Sequence, residues 1–227
     1  MTARRASFLA GVRAVAPITV GIVPFGLLAG AAAVAVGITP MQALGMSVFI
    51  FAGASQLAAI DLVGNGAPAA VVIATVLVVN LRMTMYSASI APYFDRVRTL
   101  ARLPLAYLLT DQAYALSVTR FGDDDPASRP WYYLGTALPL WVVWQACTVI
   151  GVVAGAAVPA SVPLDFAVPL TFLALLVPAV EGRSTATAAA VGGGVAVLEA
   201  GLPFNLGLIV GALCGVAAGM LAGAIDG

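Results

Sequence analysis

Ser47-Val48-Phe49-Ile50-Phe51-Ala52-Gly53-Ala54-Ser55-Gln56-Leu57-Ala58-Ala59-Ile60 is an apolar run of the kind that crosses a bilayer, except that Gly53-Ala54-Ser55-Gln56 interrupts it. Glycine costs about 1 kcal/mol in a helix interior relative to alanine, and a Ser-Gln pair in hydrocarbon must find hydrogen-bond partners. A segment built only to anchor has no use for such a break. The break therefore predicts polar groups that face a cavity within the membrane, on or near the path of a solute.

The rest of the chain supports a membrane setting. Of its 227 residues 62% are hydrophobic and 9% charged, and the mean hydropathy is +1.05. Soluble domains run near 45–50% apolar and about 25% charged. Apolar runs alternate with short polar breaks throughout, and none of the polar stretches is long enough for a soluble domain. Residues 1–227 thus read as one membrane domain. A net charge of zero excludes a broadly basic nucleic-acid surface. All basic residues are arginine, so histidine metal ligation, histidine general-base chemistry and a histidine proton relay are all excluded. Cys147 and Cys214 each sit in an apolar segment and read as small buried hydrophobes. With no nucleophile elbow, phosphate loop or metal-ligand cluster, an enzymatic, cofactor-dependent or metal-dependent reading has nothing to stand on. Arg4-Arg5 superficially resembles a twin-arginine export signal, but Arg13 interrupts the apolar region that should follow. Arg4, Arg5 and Arg13 read instead as positive-inside anchors.

A span needs roughly 20 mostly apolar residues. Candidate segments are Ala14–Val36, which contains Pro17 and Pro24-Phe25-Gly26, then Met41–Val63, Ala69–Ile90, Leu103–Val118, Trp131–Ala154, Leu164–Val180, Thr185–Ala200 and Asn205–Ile225. The fold class is all-α, with about seven or eight transmembrane or re-entrant segments, some broken by Pro or Gly. Asp123-Asp124-Asp125-Pro126 must be solvated. With the N-terminus inside, three full crossings would put Arg96, Arg98 and Arg102 outside, against the positive-inside rule. Either a re-entrant or broken segment among the first three returns that loop to the cytoplasm, or the rule fails in this chain. The segments carrying Pro24-Phe25-Gly26 and Gly53-Ala54-Ser55-Gln56 are the natural choices, because irregular backbone is tolerated at membrane depth where it lines a cavity. Val23-Pro24-Phe25-Gly26-Leu27 echoes Leu202-Pro203-Phe204-Asn205-Leu206, a weak trace of the inverted repeats common in transporters.

Few residues are left to carry polar chemistry. Insertion scales charge Arg82 about 2.5–3.5 kcal/mol at a helix centre. It either binds a carboxylate together with Asn80, the guanidinium fork matching two oxygens, or snorkels to an interface. Asp111, beside Thr110 and Gln112, is a candidate counter-ion for an ammonium group, a candidate proton carrier, or the salt-bridge partner of Arg82. Asp165 opens a span, where a carboxylate also suits a helix cap. Trp141 and Trp144 lie three residues apart on one helix face and either wall a pocket or anchor at the interface. Gly211 and Gly215 form a small-residue pair suited to close helix contact. The candidate site is therefore Gly53, Ser55, Gln56, Asn80, Arg82, Thr110, Asp111, Trp144 and Asp165.

Several of these pieces occur together in one known pattern. Pro24-Phe25-Gly26, Phe51-Ala52-Gly53-Ala54-Ser55-Gln56, Asn80-Leu81-Arg82, Thr110-Asp111, the Trp-rich fifth segment and Asp165-Phe166 follow in this order over nearly the whole chain. In this the chain resembles the AzlC family, the large subunit of two-component branched-chain amino-acid exporters. The resemblance implies export of valine, leucine, isoleucine or methionine across a bacterial inner membrane, driven by the proton-motive force. It also implies a small hydrophobic AzlD-type partner subunit. The family often has His after the Asn-Leu-Arg triplet and an acidic residue after Thr-Asp, where this chain has Met83 and Gln112. That departure shifts the weight of any coupling onto Asp111 and Asp165. A passive channel and a non-transporting assembly subunit are the alternative readings of the same residues.

Overall fold

A computed structural model describes residues 3–122, 125–157, 180, 182–202 and 206–226. Apart from Val180, the segment expected at Leu164–Val180 lies outside these residues, and so do Asp165 and the Pro203-Phe204-Asn205 half of the echo. Among the described residues all regular structure is helical. The helices are α1 (Ala3–Ala35), α2 (Pro40–Ile50), α3 (Gly53–Gly64), α4 (Ala69–Ile90), α5 (Thr99–Tyr107), α6 (Asp111–Phe121), α7 (Arg129–Ala157), α8 (Arg183–Leu198) and α9 (Leu206–Asp226). A 3₁₀ turn, Ala91–Phe94, extends α4. By length and composition α1, α4 with its 3₁₀ turn, α7 and α9 can cross a membrane.

The frame is the pair α1–α7, which run parallel in close contact. Gly11 packs against the backbone of Tyr132 and Gly135, Gly30 against Thr148 and Gly151, and Gly155 against Ala31. A Cβ on Gly135 or Gly151 would strike the carbonyl oxygen of Phe8 or Leu27. Lipid offers no hydrophobic drive for helices to associate, so contact depends on backbones approaching closely, which small residues permit. Pro17 and Pro24 lie inside α1 without ending it. The expected first span gains more than two turns at its start, and Arg4 reaches over the ring of Trp131, 5.8 Å from its centroid.

The segment expected as the second span is a re-entrant hairpin. Thr39 caps α2 in a reciprocal box with Gln42, and Pro40 occupies the first turn, where its missing N–H costs nothing. From the finishing end of α1, α2 descends until the Ser47 hydroxyl donates to Gln145 Oε1 at 3.0 Å. Phe51 then adopts the left-handed conformation (φ 36°, ψ 44°) and Ala52 is extended. α3 starts at Gly53 against the Trp144 ring and climbs back until Gly64 meets Val36, near the end of α1. The turn is therefore at Phe51-Ala52. Gly53-Ala54-Ser55-Gln56, expected to be the break, is the first turn of α3, and Gly53 is small because the indole leaves little room.

α4 returns to the starting end. Arg129 lies over the ring of Tyr93, 5.2 Å from its centroid, and Phe94 meets Tyr133 edge-on at 5.4 Å. The segment expected as the fourth span is a second re-entrant hairpin, entering from this opposite end. α5 rises, with Leu105 O accepting from Tyr133 Oη at 2.8 Å, and α6 descends from Asp111 beside Arg82 to Phe121 beside Phe94. Arg4, Arg5, Arg96, Arg98, Arg102, Arg120 and Arg129 thus share one end. One re-entrant segment among the first three brings these arginines to a common end, the one that the positive-inside rule assigns to the cytoplasm.

The unit of a spanning helix followed by a hairpin that re-enters from the side where the helix finishes occurs twice, as α1-α2-α3 and inverted as α4-α5-α6. This inverted repeat lies elsewhere than the Pro-Phe echo. α8 and α9 pack on each other, with Gly192 against Gly211 and Gly215, and Ser184 Oγ donates to Gly219 O at 2.7 Å. The Gly211/Gly215 pair thus serves contact within the chain.

Substituting Gly151→Leu should destabilise the protein by about 3 kcal/mol, as overpacking does, and lower the melting temperature in detergent. Gly45 has open space around it and an ordinary helical backbone, so Gly45→Ala should leave stability unchanged or raise it by about 0.5–1 kcal/mol.

Candidate functional site

The two hairpin tips meet in the middle of the membrane domain, where the Phe51 and Tyr107 ring centroids are 5.9 Å apart. Four helix ends therefore stop at a depth where water cannot solvate them, and each orphan N–H or C=O there needs a partner. At the carbonyl end of α2, Ser47 O accepts from Gln145 Nε2 at 3.2 Å and Val48 O accepts from Tyr107 Oη at 2.9 Å. Tyr107 Oη in turn accepts from Trp141 Nε1 at 2.9 Å. Near the carbonyl end of α5 is the Tyr133 bond to Leu105 O. The N-terminus of α6 is capped by Thr110, whose Oγ1 accepts from Ala113 N at 3.3 Å, and Asp111 opposes the helix dipole in its first turn. The N-terminus of α3 differs. Ala52 has no side-chain oxygen, and no side chain caps this end. Its positive end is left for something else to neutralise.

α4 reaches both hairpins. Asn80 Oδ1 accepts from Ser55 Oγ at 2.8 Å, and Arg82 Nη1 lies 3.1 Å from Asp111 Oδ2. Arg82 is thus ion-paired across to α6. The ion pair does not exhaust its members, since Arg82 Nε and Asp111 Oδ1 have no hydrogen-bond partner, and neither has Trp144 Nε1. Arg82, Asp111 and Trp144 line one cavity of about 480 Å³ together with Gly53, Ala54 and Thr110. Its opposite wall is apolar and comes from Ile18, Ile22 and Phe25 of α1 and Leu140 of α7. The volume is ordinary for a small-molecule site, and so is the combination of an apolar lining with a few convergent polar groups.

The structure brings Gly53, Arg82, Thr110, Asp111 and Trp144 to this cavity, with Ser55 and Asn80 paired behind it. Gln56 is fully buried, both of its amide atoms lack partners, and it is not part of the cavity wall. Sequence reasoning singled out Pro24-Phe25-Gly26 as a cavity-lining segment, and Phe25 does line the cavity, but it missed Ile18 and Ile22 one to two turns earlier in α1. It also missed Tyr107, a phenol in an apolar segment, which needs a partner for its hydroxyl. Gln145 turns out to be a capping residue and Trp141 the donor that orients Tyr107.

An open N–H end, a guanidinium N–H and an indole N–H suit an anionic group. A free carboxylate oxygen suits an ammonium group. A zwitterion with an apolar side chain can satisfy all of these at once.

Comparison with known proteins sets the chain among membrane proteins. The chain is 34% identical over 208 residues to an uncharacterized membrane protein of Archaeoglobus fulgidus, covering 88% of each chain. It is 25% identical over 218 residues to the inner membrane protein YgaZ of Escherichia coli, covering 92% of this chain and 88% of the relative. No solved structure matches. The family model described as AzlC protein matches residues 17–158, the stretch that holds α2 to α7 and the part of α1 that lines the cavity. The chain is an integral membrane protein of the AzlC family.

Proposed function

We propose that the protein is a secondary transporter that exports branched-chain or other small apolar amino acids across a bacterial cytoplasmic membrane. The observation that carries the reading is the cavity between the hairpin tips, lined by Arg82, Asp111 and Trp144, each with a buried polar atom left unpartnered, and by an uncapped helix end and an apolar wall. The substrate carboxylate sits at the α3 N-terminus within reach of Arg82 Nε and Trp144 Nε1, the ammonium group binds Asp111 Oδ1, and the side chain lies against Ile18, Ile22 and Phe25. Asp111 is also the carboxylate through which proton movement is coupled, because among the described residues it is the acidic one that lines the cavity. The inverted units supply an alternating-access device, as two-fold related hairpins approach one midplane site from opposite faces.

The small AzlD-type partner belongs to the same proposal. α4 is the least enclosed of the long helices, with 6% of its span buried against 28% for α1 and 39% for α7, which leaves a surface for a second membrane subunit to cover.

Asp111→Asn and Arg82→Ala should each abolish valine efflux from dipeptide-loaded cells while membrane insertion is retained. Normal efflux by both variants would overturn the assignment. In vesicles, with and without the small subunit, uphill flux tied to a proton gradient marks an exporter, purely downhill flux a channel, and no flux an assembly subunit. A double-mutant cycle on Arg82 and Asp111, followed by thermal unfolding, should give a coupling of about 1 kcal/mol, since the pair is about one-third exposed.

A further inference from the structure

We propose that Phe51 is the cytoplasmic gate of the transport path, held shut by Tyr107. The proposal rests on reading the cavity between the hairpin tips as the substrate site. A second cavity, of about 640 Å³, lies on the other side of the tips and is lined by Phe49, Asn80, Thr84, Ser87, Ala91 and Tyr107 among others. It runs along α4 from the midplane toward the arginine-bearing end, since Ser87 and Ala91 lie one to two turns from Phe94. Phe51, Ala52 and Met83 line both cavities and so form the partition between them.

The partition is built to move. Phe51 is the one non-glycine residue at positive φ among the described residues. A bulky side chain in that conformation is an outlier that persists only where its surroundings impose it, and such residues cluster at clamps and switches. What imposes it here is Tyr107. Its ring lies against Phe51, its hydroxyl donates to Val48 O three residues before Phe51, and Trp141 Nε1 holds that hydroxyl in place. A single phenol thus ties the tip of one hairpin to the tip of the other and to α7. When Tyr107 swings away, Val48 O loses its donor and Phe51 is free to leave the left-handed region. The two cavities then join through the gap beside Met83, an unbranched side chain that adapts easily to a changing wall. The hydroxyls of Thr84 and Ser87 and the amide of Asn80 give the charged end of an amino acid a polar route along α4, and the cytoplasm is the side from which an exporter must load.

The test uses the full chain in a Cys147→Ala, Cys214→Ala background, with single cysteines introduced by Ser87→Cys in the vestibule and Ala54→Cys in the site. A membrane-impermeant maleimide added from the cytoplasmic side should label position 87 readily and position 54 slowly. Adding Tyr107→Phe, which keeps the ring and removes the hydroxyl, should raise labelling at 54 between about twofold and tenfold, the range that one ordinary hydrogen bond supports. Phe51→Gly, which accepts positive φ and removes the ring, should raise it further and turn coupled accumulation of amino acid into leak. Labelling at 54 unchanged by both substitutions, in protein that remains monodisperse, overturns the gate and leaves the substrate reading standing. Raised labelling at 54 in a protein that moves no amino acid supports the gate and overturns the substrate reading.

Discussion

Hydrocarbon cannot hydrogen-bond, and this chain places four helix ends in the middle of a membrane, a constraint from which most of its polar architecture follows. Gln145 and Tyr107 answer the carbonyls of α2, Tyr133 answers one near the end of α5, and Thr110 answers an amide of α6. None of these residues is spare polarity in an apolar chain. Each is at membrane depth because a backbone group there would otherwise be orphaned. Against that background the open N-terminus of α3 is the exception, and it faces the cavity that also holds Arg82, Asp111 and Trp144.

A re-entrant hairpin also needs a wall that does not move, and α1 and α7 supply it. Their glycines bring the two backbones into contact along most of their length. The same helices present Ile18, Ile22, Phe25, Leu140 and Trp144 to the cavity. The parallel pair stands on one side of the hairpins and α4 on the other. That α4 binds one hairpin through Asn80 and the other through Arg82 couples the two inverted units through a single helix.

Much of this was legible from the residues. A chain with so few charges had to be a helical membrane protein, and the Arg96-Arg98-Arg102 cluster left two readings, a segment among the first three that does not cross or a failure of the positive-inside rule. That Arg82, Asp111, Ser55 and Asn80 each need a partner follows from cost in lipid; the pairing of Arg82 with Asp111 was one of the readings left open, and the pairing of Ser55 with Asn80 was not legible. The turn at Phe51-Ala52 was not legible, because a phenylalanine at positive φ has no local signal and is imposed by contacts from α5. The apolar wall on α1 was hidden for a different reason. An isoleucine that faces a ligand and one that faces lipid look the same in sequence.

The sequence by itself determined the solvent this protein lives in, the scarcity of its polar groups and the need of each one for a partner, because transfer free energies belong to residues and not to folds. Only the tertiary structure decided which helix end remained open, where the inverted repeat lay and which side chains faced inward. Those are properties of how segments far apart in sequence approach one another, and in lipid that approach is set by shape and by the matching of a few hydrogen bonds. Hydrophobic patterning, which is what a sequence displays most plainly, has little say once every face is apolar.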